Sequence, residues 1–214
     1  MMLSDKYRPA TWADVVGQEK AVAVFQRLAQ TGGLLGRAFW LAGPSGSGKT
    51  TLARLASAEI ADSINVTELD AGDCSVAALR DIEATYRYFP MGAKPGRAVI
   101  INEAHGLRKD SIRRLLVMLD SIPRHFAWFF TTTSQGAESL FEDQIDAGPL
   151  LSRCIPIPMA KQGIAQAFAA RAKAVALAEG LDGRPLAQYV RLIQDCRNNL
   201  RMALSRIEAG EMLA

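Results

Sequence analysis

Eight consecutive residues have the types and spacing to hold a phosphate: Gly43, Pro44, Ser45, Gly46, Ser47, Gly48, Lys49 and Thr50. They follow the pattern G-x-x-x-x-G-K-[ST]. Its glycines let the backbone turn N–H groups inward as an anion nest. Lys49 can reach the β- and γ-phosphates of ATP, and the Thr50 hydroxyl can ligate Mg²⁺. Thr51, at the start of the following segment, belongs with the nucleotide-binding residues. Hydrolysis needs two further groups, an acid that holds the metal and a base that activates water. Asn102 and Glu103 directly follow the apolar run Ala98 to Ile101. Glu103 is placed to orient or deprotonate the attacking water. Asn102 stands where an aspartate is expected. Its amide oxygen can take a hydrogen bond from a metal-bound water, but without charge. Charge-assisted contacts are roughly twice as strong as neutral ones, so weaker Mg²⁺ binding is expected rather than none. Thr133 ends a later apolar run and could bond the γ-phosphate or the water. Thr132 is the neighbouring candidate, and strand alternation lets one of the two point into the site.

Such groups must be delivered by buried strands. Ala38 to Ala42 is an apolar run of strand length, and Thr50 to Glu59 is rich in helix formers. The phosphate loop thus sits between a strand and a helix N-terminus, whose partial positive charge favours anions. Residues 17–29 read as an amphipathic helix, with apolar positions 21, 24, 25 and 28. Ile64 to Leu69 reads as a strand, and Ser75 to about Phe89 as a helix. Arg97 to Ile101 reads as a strand, Asp110 to Asp120 as a helix, Phe126 to Thr133 as a strand and Cys154 to Ile157 as a short last strand. These strands lack alternation and are separated by helices. That predicts an α/β fold with a parallel five-stranded sheet flanked by helices, and catalytic groups at the strands' C-terminal ends. After residue 159 the texture becomes helical, over 161–179, 185–195 and 199–212. The expected division is a nucleotide-binding α/β domain over 1–159 and a small helical lid domain over 160–214.

The bulk composition fits this. With 214 residues, 49% apolar and 22% charged, the chain has the make-up of a soluble globular protein. A net charge of +3 permits nucleic-acid binding without demanding it. No apolar run approaches the ~20 residues of a membrane span, and the N-terminus lacks a secretory core. Cys74, Cys154 and Cys196 lie far apart, without a C-x-x-C pair. A cytoplasmic, reducing location is the expectation, with no disulfide framework.

The motifs together resemble the clamp-loader ATPases of the AAA+ superfamily, the bacterial gamma/tau subunit and the replication factor C small subunits. Lys6 to Pro9 and Trp12 to Gln18 are similar to that family's N-terminal signature, with Trp12 where Phe is commoner. Glu68 to Asp73 is similar to its segment after the second strand. Asn102 to His105 resembles its acidic box, Ser152-Arg153-Cys154 its S-R-C motif, and Asn198 to Arg201 its second sensor. The resemblance implies that Tyr7, Arg8, Val15 and Val16 line an adenine pocket. It implies that Arg153 is an arginine finger inserted into the next subunit's site, and so a ring or arc of AAA+ subunits, homo- or hetero-oligomeric. It implies that Arg201 reaches the γ-phosphate from the lid. It also implies partners, namely DNA and, as a candidate, a sliding clamp. Arg108, Lys109, Arg113 and Arg114 flank the start of helix 110–120 and are candidates for phosphate contacts. Arg113 and Arg114 lie about 100° apart, so both need not face DNA.

Three departures stand out. Asn102 replaces the usual Asp. The 18 residues between Thr133 and Ser152 exceed the family's connection, and Gly136 to Asp146 form an acidic, helix-compatible insertion there. The resemblance covers an ATPase core and lid, without the family's helical collar or the bacterial subunit's zinc module. Three roles stay open: an ATP-driven motor subunit acting on DNA or a DNA-bound ring; a nucleotide-dependent structural subunit with weak hydrolysis; or a compact AAA+ regulator of transposition, plasmid maintenance or phage defence.

Overall fold

The computed structural model describes residues 1–133 and 147–213. The expected insertion Gly136 to Asp146 therefore falls outside the described residues. Five strands form one parallel sheet: β1 (Arg37–Ala42), β2 (Val66–Asp70), β3 (Arg97–Asn102), β4 (Phe126–Thr132) and β5 (Cys154–Pro158). Their spatial order is β2-β3-β4-β1-β5. Because every pairing is parallel, all five C-termini lie along one edge. Gly43 N–H donates to the Thr132 carbonyl at 3.2 Å, which ties the phosphate loop to the end of β4.

The continuous apolar runs follow from two buried faces. Phe39, Leu41, Ile100 and Phe129 point to one face, where they meet Phe25 of α2 (Glu19–Gln30) and Leu52 and Ala56 of α3 (Lys49–Ile60). Trp40, Val99, Ile101, Trp128 and Phe130 point to the other. There they meet Leu79 of α4 (Val76–Ala84) and Ile112 and Leu115 of α5 (Lys109–Asp120). Period-two alternation serves both faces, so no polar residue interrupts the strand. Phe39 and Phe129 stack at 5.2 Å between neighbouring strands. All three cysteines are buried and reduced. Burial pushes the Cys74 thiol up to about 11 and the Cys154 thiol up to about 12, so neither carries a thiolate at neutral pH.

Several helices are shorter than expected: those read over 161–179 and 199–212 span Ala165–Ala178 and Leu200–Glu208. α4 stops at Ala84 rather than running to Phe89. Thr85 turns its hydroxyl back onto the Ile82 carbonyl at 2.6 Å, and a tighter turn over Thr85–Arg87 follows. The N-terminus contains a four-residue helix, α1 (Leu3–Lys6).

The C-terminal helices are α7 (Ala165–Ala178), α8 (Leu186–Asp195) and α9 (Leu200–Glu208), preceded by the short α6 (Ala147–Ser152) before β5. Phe168, Tyr189, Leu192, Leu204 and Ile207 form their own apolar cluster, and Leu3 of α1 is buried within it. Gln18 links this cluster to the sheet. Its amide accepts from Ala160 N–H at 2.8 Å and donates to the Ala160 carbonyl at 3.2 Å. Among the described residues no helix is long and apolar enough to cross a membrane.

Candidate functional site

The phosphate loop leaves β1 and runs directly into α3, with Gly48 as the capping residue at φ 96°. Lys49 is buried, and its Nζ donates to the carbonyls of Gly43 at 3.0 Å and Pro44 at 2.8 Å. Burial lowers its pKa most; the Glu103 carboxylate works against this and the Arg201 guanidinium adds to it. The acid after β3 and the arginine of α9 thus converge electrostatically on one lysine.

The cleft over the loop is open to solvent and has a cavity volume of about 100 Å³. Tyr7, Arg8, Val15 and Val16 form one wall, with Gly46, Ser47, Gly48 and Thr51 below and Leu200, Arg201 and Leu204 opposite. The adenine-pocket residues implied by resemblance and Arg201 of the C-terminal helices therefore share one cleft with the loop. Tyr7 is fixed from behind: its hydroxyl donates to Glu179, and Arg171 donates to its carbonyl at 3.3 Å. Arg8 donates to Asp5 at 2.6 Å.

α9 begins hard against the loop. Asn199 caps it, accepting from Met202 N–H at 3.1 Å, while Arg197 and Asn198 take left-handed backbone to turn the chain from α8. A Cβ placed on Gly46 would lie 1.9 Å from the Asn199 side-chain oxygen, and Gly46 has φ 71°. Gly46→Ala meets both steric overlap and left-handed strain. It is expected to weaken nucleotide affinity at least ~10-fold, read by titration with a fluorescent ATP analogue. Unchanged affinity would separate α9 from nucleotide recognition.

A second group of residues gathers at the ends of β3 and β4. Asn102 Oδ1 accepts from Thr50 Oγ1 and from Thr131 Oγ1, each at 3.0 Å. Asn102 Nδ2 donates to Glu68 Oε1 at 2.7 Å. Arg54 grips the same carboxylate at 2.8 and 2.9 Å. Burial raises the Glu68 carboxyl most, but the bonds from Arg54 and Asn102 outweigh it and hold the group below the usual range. The Thr50 hydroxyl and the Asn102 amide oxygen are hard oxygen donors, the kind that suits Mg²⁺, while the Glu68 carboxylate is taken up by Arg54 and Asn102. Thr50 would ligate the cation and Asn102 would face it through water.

Glu103 is exposed and has left-handed backbone, φ 50° and ψ 45°. Such strain in a non-glycine residue costs ~1–3 kcal/mol and clusters at functional sites. His105, one short turn on, places Nδ1 3.1 Å from Thr132 Oγ1 and 3.5 Å from Glu103 Oε2. Thr133 lines a neighbouring cleft with Pro44 and Ser45. The three threonines are thus divided: Thr131 meets Asn102, Thr132 meets His105, and Thr133 faces the loop. Sequence reading missed Thr131, Glu68 and His105 as parts of the site.

Comparison with known proteins bears on the fold and on the kinship of the chain. Residues 3–94 match the family model described as the TIP49 P-loop domain. Over 158 residues the chain is 30% identical to DNA polymerase III subunit gamma/tau of Mycobacterium bovis, an alignment that covers 62% of this chain and 27% of that protein. Over 180 residues it is 28% identical to DNA polymerase III subunit tau of Escherichia coli, covering 72% of this chain and 26% of that protein. The chain is thus similar to gamma/tau subunits and carries a P-loop. It spans about a quarter of the length of these curated relatives. Its fold is also that of Thermotoga maritima RuvB, described as a Holliday junction branch migration motor. The TM-score is 0.70 at 21% identity, covering 94% of this chain and 64% of that one.

Two sets of expected residues lie away from the cleft. Arg153 precedes β5, whose Cys154 is in register with Ala38 near the start of β1. The phosphate loop leaves the other end of β1, roughly 16 Å further along the strand. Arg153 donates to both oxygens of Asp120, at 2.6 and 3.1 Å, and to the Pro149 carbonyl at 3.0 Å. Of the basic residues around α5, Arg108, Lys109 and Arg113 are exposed. Arg114 differs: half-buried, it pairs with Glu83 of α4, so its charge is neutralised within the chain.

Proposed function

We propose that this chain is an ATP-dependent subunit of an AAA+ assembly that acts on DNA. One observation carries the proposal: a single cleft joins the phosphate loop to Tyr7, Val15 and Val16 on one side and Arg201 on the other, while Arg153 sits at the opposite end of the sheet. The adenine would pack against the apolar wall. The loop amides, Lys49 and Thr50 would hold the phosphates, with Mg²⁺ supplying charge neutralisation of the β- and γ-oxygens. Glu103 would take the proton of the attacking water, Thr133 would orient the γ-phosphate, and Arg201 would couple its presence to the helical part. Arg153 would complete the site of the next subunit. The gamma/tau relationship favours a DNA-bound partner, a sliding clamp among them.

The test is turnover of MgATP by the purified chain, with and without primed duplex DNA, alongside sedimentation. Turnover with ATP-dependent assembly supports the motor reading. Assembly without turnover supports a structural subunit, the reading that Asn102 favours. A chain that binds no nucleotide sinks both. A compact regulator outside replication is told apart by what co-purifies. For DNA, the combined Arg108→Ala and Lys109→Ala change is expected to lower the slope of log affinity against log salt by about 2 units, at ~0.9 per phosphate contact. An unchanged slope removes these residues from the interface.

A further inference from the structure

Asn102 lacks the charge of an aspartate, yet it sits inside a charged ring. Thr50 and Arg54 lie four residues apart on α3, and so on one helix face. From Thr50 the ring runs to Asn102 at 3.0 Å, on to Glu68 at 2.7 Å, and back to Arg54 at 2.8 and 2.9 Å. Glu68 comes from the neighbouring strand: Asp70 of β2 is the register partner of Asn102, and Glu68 precedes it by one full pleat. Glu68 fixes the amide's orientation, because an ionised carboxylate can only accept and must face Nδ2, which leaves Oδ1 to the two hydroxyls. An acceptor of full negative charge at the N–H end draws electron density towards the amide oxygen and strengthens what that oxygen accepts. Arg54 is the more exposed member of its pair with Glu68, so its charge is the better screened by solvent.

We propose that Glu68 is a positioning residue for the cation corner. Acting through the Asn102 amide, it supplies the negative charge that an aspartate at position 102 would carry itself. The proposal rests on reading the loop as an MgATP site. The metal-facing acid is in effect divided between two strands: an oxygen on β3, and its charge on β2.

The test uses the full chain and two probes: a fluorescent ATP analogue in EDTA, and Mn²⁺ affinity of the ATP-bound protein by electron paramagnetic resonance. Glu68→Gln is expected to leave metal-free nucleotide affinity unchanged and to weaken Mn²⁺ about 10-fold, the size of a charged-to-neutral hydrogen-bond change. Adding Asn102→Asp to Glu68→Gln moves the charge directly to position 102 and is expected to restore Mn²⁺ affinity to the wild-type level or above. Asn102→Asp alone sets two carboxylates in contact and is expected to bind Mn²⁺ less well than the double variant. Arg54→Gln removes the brace but keeps the charge, and is expected to bind Mn²⁺ at least as well as wild type. If the double variant is as impaired as Glu68→Gln, or Arg54→Gln behaves like Glu68→Gln, Glu68 is a brace between α3 and β2 and the proposal is overturned. Wild-type protein that binds no nucleotide in either condition overturns the underlying MgATP reading, and the proposal with it.

Discussion

Arg153→Ala is expected to lower the turnover of assembled protein by ~10³ or more, the scale of an arginine finger, while ATP affinity stays near wild type. The reason is geometric. Arg153 enters β5 beside the first residues of β1, and the phosphate loop leaves the far end of that strand. No rotamer of an arginine spans the sheet, so a role at a γ-phosphate must be exercised on another subunit. The side chain is held in place within its own chain. Asp120, the last residue of α5, accepts two bonds from it, and this pairing holds the Asp120 carboxyl below its ordinary range. A bidentate pair fixes the guanidinium plane, which limits the conformational freedom that would be lost on docking. The decisive readout is a mixture. Arg153→Ala supplies intact Glu103 sites, and Glu103→Gln supplies intact Arg153, so a mixed assembly regains activity that neither variant shows alone. A mixture as inert as its components, or an Arg153→Ala protein that turns over normally, removes the arginine from catalysis and leaves it as a surface partner of Asp120.

How much of this was legible in the sequence depended on whether the information was local. The phosphate loop is contiguous, and its chemistry needs consecutive residues, so Gly43 to Thr50 could be read directly. The parallel sheet was legible because runs such as Phe126 to Phe130 are apolar on both faces. Glu68 was not legible as part of the site. Its contact with Asn102 exists only because β2 pairs with β3 in one register, and a one-residue slip would have turned it to the opposite face. Thr131 was passed over for Thr133 for the same reason: three successive hydroxyls on one strand end are distinguished by what each face meets. Arg114 looked like its neighbour Arg113, but α4 packs across α5 and places Glu83 opposite it. The early end of α4 was also a tertiary matter, since the residues after Thr85 are turned to bring Tyr86 against Phe126 at 4.6 Å.

Glu103→Gln is expected to reduce turnover by ~10²–10⁴, the usual contribution of a positioned general base, while retaining or tightening ATP binding. Glutamine keeps the size of the side chain and removes its capacity to take a proton. Glu103 also stands apart energetically. Its left-handed backbone lies directly after a strand whose four central residues are buried, so β3 has little room to relax, and Glu103 itself is exposed. That separates activity from stability in a way a surface role would not. Glu103→Gly removes the Cβ that makes this conformation costly, worth ~1–2 kcal/mol, against ~0.5–1 kcal/mol of added chain entropy in the unfolded state. The glycine variant is therefore expected to melt at or slightly above the wild-type temperature and yet be as inactive as Glu103→Gln. A glycine variant that melts well below wild type makes the strained turn a structural requirement. A glutamine variant that still hydrolyses ATP at the wild-type rate transfers the base to another group, and His105, 3.5 Å from this carboxylate, is the first to examine.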